Sequence, residues 1–245
     1  APKAWENYTV SQKQSALYDY TLNSLNELKA VGADIGMVQI GNETNGMMCG
    51  EKVWMNIYYL MDAGSRAVRE TVPQALVAVH FTNPESSDNM LNYASKLNYY
   101  KLDYDVFATS YYPYWHGTPE ELFANLKACR RFGKEIMVTE LGYGFTDKPY
   151  LLDGEEKRLV IDSERAYIPG FTEKYPMSPK GQSDFIRDFL ADAKSEGVDG
   201  IFYWEPLWIP GKGICWASEA GQKYIHEEGK STSNEWANQC LFDYE

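Results

Sequence analysis

The chain has 245 residues, 44% of them hydrophobic and 24% charged, which suits one large folded domain and excludes a disordered or collagen-like chain. A formal net charge of -12 repels nucleic-acid phosphates and anionic lipid, so neither is expected as a partner. No run of about 18 apolar residues occurs, so no membrane-spanning segment is expected, and no leader pattern marks the opening Ala1-Pro2-Lys3, which leaves the compartment open.

The first helix is predicted over Ser11 to Ala30, with Tyr18, Leu22, Leu25 and Leu28 on one face and Gly32 as its stop. A buried strand, Gly36 to Ile40, runs into Gly41-Asn42-Glu43. The next helix carries Val53, Ile57, Leu60, Gly64 and Val68 in one stripe. A strand at Ala75 to Val79 ends in His80-Phe81-Thr82-Asn83. A weaker helix, Ser87 to Leu97, leads to the strand Tyr104 to Ala108, which exits through Tyr111-Tyr112-Pro113-Tyr114-Trp115-His116-Gly117. Thr118-Pro119-Glu120-Glu121 is a strong helix start, with Thr118 as cap, Pro119 in the first turn and Glu121 closing a capping box. Leu122 and Leu126 should then face inward. The strand Glu135 to Thr139 ends at Glu140, and an irregular stretch covers Gly144 to Pro179. A helix over Ser183 to Ser195, with Phe185, Ile186, Phe189 and Leu190 as its stripe, feeds the last clear strand, Gly200 to Trp204, and Glu205-Pro206.

Strands alternating with helices predict βα units and a parallel sheet. In parallel barrels the reacting groups gather at the carboxyl ends of strands, where the βα loops converge. Those ends read Asn42-Glu43, His80, Tyr111-Tyr112-Trp115, Glu140 and Trp204-Glu205. Two carboxylates across one such mouth are what glycosidic cleavage needs, one to protonate the leaving oxygen and one to attack the anomeric carbon. The 19 Tyr, 10 Phe and 7 Trp supply core, and near loops they also supply flat faces on which the C–H patches of a sugar ring can stack. Each residue has a blander reading: Glu43 as a salt-bridged loop residue, Asn42 as a turn, His80 as structural, Tyr112 and Trp204 as packing. Cys49, Cys129, Cys215 and Cys240 form no CxxC pair and no zinc spacing, and Cys129 is expected in the core.

Val38-Gln39-Ile40-Gly41-Asn42-Glu43-Thr44-Asn45-Gly46 resembles the acid/base motif of glycoside hydrolase family 53, the endo-β-1,4-galactanases. His80-Phe81-Thr82-Asn83-Pro84, Ser110 to Gly117, Val138-Thr139-Glu140 and Phe202-Tyr203-Trp204-Glu205-Pro206 resemble it collinearly. So do the short Pro2-Lys3-Ala4-Trp5 and Phe242-Asp243 segments. The resemblance implies an α/β, (β/α)8 TIM barrel in which the chain from 1 to 245 holds strands 4–8, with strands 1–3 missing. It implies a retaining mechanism with Glu43 as acid/base and Glu140 as nucleophile. Asn42 would bind the sugar 2-hydroxyl, Tyr112 would lie near Glu140, Trp204 would floor the central subsite, and His80 and Trp115 would line the cleft.

The substrate implied is β-1,4-galactan, the type I arabinogalactan of pectin side chains, acted on by a secreted or cell-surface monomer. No cofactor and no metal are required. The calcium-binding loop common in bacterial relatives is absent from Gly144-Phe145-Thr146-Asp147-Lys148 and from Leu151 to Glu156, although acidic oxygens there could hold calcium. The alternatives are a related barrel cutting another β-1,4-glycan, or a non-catalytic glycan-binding barrel. A barrel acting on phosphorylated metabolites is disfavoured, because no Gly-rich phosphate cradle follows the last strands.

Overall fold

Strand and helix alternate along the chain as the hydrophobic periods require. The computed structural model describes residues 1–211, 217–227 and 234–242; Cys215 and Asp243 lie outside them. The chain divides into two compact units. The first comprises Ala1–Tyr111, His116–Glu140 and Lys194–Phe202, and the second Tyr112–Trp115, Leu141–Ala193 and Tyr203–Glu245.

Helix α1 (Val10–Ala30) is capped by Thr9 in a reciprocal box with Gln12, and β1 (Met37–Gln39) follows. Then come α2 (Trp54–Thr71), β2 (Leu76–Phe81), α3 (Ser87–Tyr99), β3 (Val106–Tyr111), α4 (Pro119–Cys129) and β4 (Glu135–Leu141). The capping box of α4 forms as the sequence predicts, Thr118 Oγ1 accepting from Glu121 N–H at 3.2 Å and Thr118 N–H donating to the Glu121 carboxylate at 2.9 Å. Leu122, Leu126 and Cys129 are all buried beneath it.

Three stripe residues face water instead. Leu28 is 48% exposed, Val53 is 61% exposed and Leu190 is 47% exposed. Val53 precedes α2 as its N-cap. The inward face of the helix Pro179–Ser195 (α7) is set by the i, i+4 series Phe185, Phe189 and Ala193, which leaves Leu190 outside.

The sheet follows chain order, β1-β2-β3-β4-β7, with β7 at Gly200–Tyr203. β1 pairs with β2 in parallel (Met37 opposite Leu76), as β2 does with β3 (Ala78 opposite Val106). Both faces of the three central strands are buried, as in parallel sheets generally, whereas Gln39 on β1 and Phe202 on β7 are exposed. On one face Ala78, Val106, Ala108 and Met137 pack with Met37 and Leu76. On the other, Phe81 stacks on Tyr93 at 4.6 Å and on Phe107 at 5.3 Å.

Two carboxylates tie the amino ends of the strands. Asp105 accepts Val77 N–H at 2.8 Å and pairs with Arg69 at 2.9 Å. Asp199 repeats the device, accepting Ile136 N–H at 2.8 Å and pairing with Arg130 at 2.7 Å.

The stretch from 144 to 179 is irregular but not unstructured. Leu151–Leu152 (β5) and Glu155–Glu156 (β6) form a hairpin on Asp153-Gly154, whose φ values of 53° and 81° are those of a type I′ turn. The single-turn helices α5 (Ser163–Ala166) and α6 (Phe171–Lys174) follow, then α7 (Pro179–Ser195). At Gly181 an added Cβ would meet the Pro176 carbonyl oxygen at 1.8 Å, so only glycine fits. α8 (Glu219–Glu227) is the last α-helix described.

Candidate active site

The carboxyl end of β1 turns sharply through Gly41, where φ is 134° and an added Cβ would meet Thr44 Cγ2 at 2.8 Å. Thr44 then returns to β2, its N–H and its hydroxyl each 2.9 Å from the His80 carbonyl oxygen. Between these anchors Glu43 is held at φ 45°. A non-glycine residue in the left-handed region costs free energy and persists where the surroundings over-determine it, as at many reacting sites.

His80 and Ser110 stand on the same sheet face as Ala78, Val106 and Ala108, by the period of two along a strand. That places His80 Nε2 2.9 Å from Ser110 Oγ, and Ser110 Oγ donates to Glu43 Oε1 at 2.7 Å. His80 Nδ1 lies 3.4 Å from Glu43 N, 3.2 Å from Asn42 Oδ1 and 4.0 Å from Glu140 Oε1. One carboxylate oxygen of each of Glu43 and Glu140 and a ring nitrogen of His80 lie within 4.8 Å of one another. Glu43 is half-buried, Asn42 exposed and Glu140 buried.

His80 does not line a cleft. It is 0% exposed, with its ring behind Glu43 and its nitrogens turned to Asn42, Ser110 and Glu43. Burial pushes its pKa down to about 4, so the ring is neutral over most of the pH range. His116 sits beside Thr82 Oγ1 at 3.2 Å and is likewise pushed down to about 4 by burial. Ser110 opens the Ser110 to Gly117 motif, and the sequence alone does not single it out as a site residue. Its signal is its place two positions beyond Ala108 on the face that carries His80.

In the second unit Tyr112, Trp115 and Trp236 form a tight aromatic group. Ring centroids lie 5.8 Å apart for Tyr112–Trp115, 5.4 Å for Tyr112–Trp236 and 5.8 Å for Trp115–Trp236. Tyr112 is buried in it, whereas Trp115 is 43% exposed. Trp236 lies in an aperiodic stretch, and nothing local in the sequence marks it. Trp204 follows β7, tied by its N–H to the Leu141 carbonyl at 2.8 Å, and its ring is 36% exposed. Glu205 takes φ 51°, and burial raises its pKa.

A parallel βα sheet with two carboxylates converging at its strand ends is the layout in which barrel enzymes carry their reacting groups. The family model "Glycosyl hydrolase family 53" matches residues 1–245, and the chain belongs to that family. It is 41% identical to the endo-beta-1,4-galactanase of Bacillus subtilis (strain 168), covering 99% of this chain and 59% of that one. It is 30% identical to the arabinogalactan endo-beta-1,4-galactanase of Cellvibrio japonicus (strain Ueda107), covering 88% and 60%. The Ignisphaera aggregans GH53 catalytic domain matches with a TM-score of 0.84 at 31% identity, covering 99% of this chain and 64% of that one. The chain thus spans about three-fifths of the length of these curated relatives.

Proposed function

We propose that the protein is an endo-acting, retaining glycoside hydrolase of β-1,4-galactan, with Glu43 as acid/base and Glu140 as nucleophile. One observation carries the reading: carboxylate oxygens of the two residues lie within 4.8 Å of each other. Retaining enzymes hold their carboxyls about 5–5.5 Å apart, whereas inverting ones need about 6.5–9.5 Å to admit a water. Family membership and the names of the relatives supply the substrate class. The five strands are read as strands four to eight of a (β/α)8 barrel, a numbering in line with the share of the Ignisphaera domain that the chain covers.

The steps follow from the geometry. Glu43, protonated, gives its proton to the leaving glycosidic oxygen while a Glu140 oxygen attacks the anomeric carbon. Glu43, now a carboxylate, takes a proton from water, and that water displaces Glu140. Inversion occurs twice, so configuration is retained. Asn42, exposed beside Glu43, is placed to bind the 2-hydroxyl, a contact that strengthens in the transition state. Trp115 and Trp204 offer exposed faces for sugar rings. Carboxylates and water complete the cycle, so no cofactor is called for, and both carboxylates come from one chain, so a monomer suffices. A polymer substrate too large to cross a membrane supports a secreted or cell-surface location. Among the described residues no helix is long and apolar enough to cross a membrane.

Reducing-end release from galactan, compared with mannan and cellulose, tests the substrate. Galactan is expected to be cut by a wide margin. NMR of the first-formed sugar tests the mechanism, and an inverted anomer would refute it.

A further inference from the structure

We propose that His80 and Ser110 are positioning residues for Glu43. A one-way chain of hydrogen bonds runs from the Glu43 N–H through His80 and Ser110 back to Glu43 Oε1, and it leaves Oε2 as the oxygen that carries the transferable proton. The proposal rests on the acid/base reading of Glu43.

The direction of the chain follows from its one unambiguous member. A backbone N–H can only donate, so His80 Nδ1, 3.4 Å from Glu43 N, must accept. A neutral imidazole with a bare Nδ1 carries its hydrogen on Nε2, which therefore donates to Ser110 Oγ at 2.9 Å. With its lone pair so engaged, the serine hydroxyl hydrogen is free for Glu43 Oε1 at 2.7 Å. An oxygen that already accepts this bond cannot also present a proton along it. The neutral ring that the chain requires agrees with the burial of His80 and its lowered pKa. Asn42 Oδ1 stands 3.2 Å from Nδ1 and 3.4 Å from Gln39 Nε2; the chain requires both carboxamides to take the half-turned orientation, which exchanges oxygen and nitrogen and brings the Asn42 NH2 to Nδ1.

The closed loop also accounts for the backbone at Glu43. The left-handed φ of 45° belongs to the residue whose N–H starts the chain and whose carboxylate ends it. His80 and Ser110 are fully buried, so they act through Glu43 and not by touching substrate.

Two measurements on the full-length protein test this. In 15N NMR of the unsubstituted protein near neutral pH, His80 is expected as the Nε2–H tautomer. A protonated Nδ1, with Asn42 presenting oxygen to it, would leave Nε2 to accept from the Ser110 hydroxyl, withdraw that hydrogen from Glu43 Oε1 and overturn the proposal. In Ser110→Ala, galactan turnover should fall about tenfold to a hundredfold with KM little changed. An aryl galactobioside with an acidic phenol should lose less in its first step, and azide should restore the second step by replacing the water that needs a base. A uniform loss with no azide recovery would overturn the proposal. Glu43→Ala in the same assays separates the two ideas. If Glu43→Ala shows no azide recovery, the acid/base reading fails; if it recovers and Ser110→Ala does not, only the relay fails.

Discussion

The two units are each held by different means. In the first, strand ladders, apolar faces and helix stripes do most of the work, and polar side chains appear at strand ends. In the second, side chains clasp backbone carbonyls. Asn238 Nδ2 donates to the carbonyls of Thr146 and Ile161 at 2.8 Å each. Gln182 Nε2 donates to those of Tyr143 at 2.7 Å and Cys240 at 3.0 Å. An irregular backbone must find partners for its carbonyls somewhere. Where the backbone is regular its carbonyls are satisfied in ladders, and where it is irregular a few side-chain amides take over that task.

The sharpest test of the division is Glu140→Ala in the first unit. Galactan turnover should drop on the order of 10⁴–10⁶-fold with the thermal midpoint unchanged. Substantial residual activity would break the nucleophile assignment. Glu43→Ala should cost about 10²–10⁴-fold on galactan but far less on substrates with acidic leaving groups, which need no proton. Equal losses on both would remove the acid role.

Acidification probes the first unit as a fold. His80 and His116 have folded pKa values near 4, below the ordinary 6.5, because burial penalises their charged forms. Between these values the unfolded chain binds more protons, so stability should fall as pH drops from about 6.5 towards 4. Each imidazole contributes about 3 kcal/mol at most. His80 is faced by Glu43, Asn42, Ser110 and, 4.0 Å away, Glu140. Denaturant midpoints measured across that range, with His116→Gln as a reference, check the slope.

In the second unit, Asn238→Leu should lower stability by about 2–4 kcal/mol, since two buried carbonyls lose their donor. A loss below about 1 kcal/mol would show that the clasp matters little. Trp115→Ala should raise KM roughly tenfold, about 1.4 kcal/mol, with kcat nearly unchanged. An equal fall in kcat would move Trp115 from binding to the chemical step.

What could be read from the sequence follows the same division. The start of α4 was legible because Thr118, Pro119 and Glu121 act within one turn. The five strands were legible because apolar runs bounded by turn residues have few other uses. The outward Leu28 and Leu190 were not, because periodicity names a face without saying where the packing partner ends. The segment from 144 to 179 read as irregular, and its Asp153-Gly154 hairpin was overlooked although that dipeptide favours the turn it makes. Its anchor Asn238, which holds Thr146 and Ile161, acts from far along the chain, where no local pattern points to it. At the site, Glu43, Asn42 and Glu140 were legible as strand-end residues. The burial of His80 and the use of Ser110 depend on strand register, which only the structure supplies.

That register gives the Asp105–Arg69 and Asp199–Arg130 pairs a significance beyond the ends they tie. A slip of one residue along a strand turns every side chain to the opposite face. By pinning Val77 to Asp105 and Ile136 to Asp199, these pairs act as indexing stops that set the phase of the strands. The angular setting of His80 and Ser110 is thus decided at the far end of the sheet, and loops beyond the strands can vary in length without disturbing it.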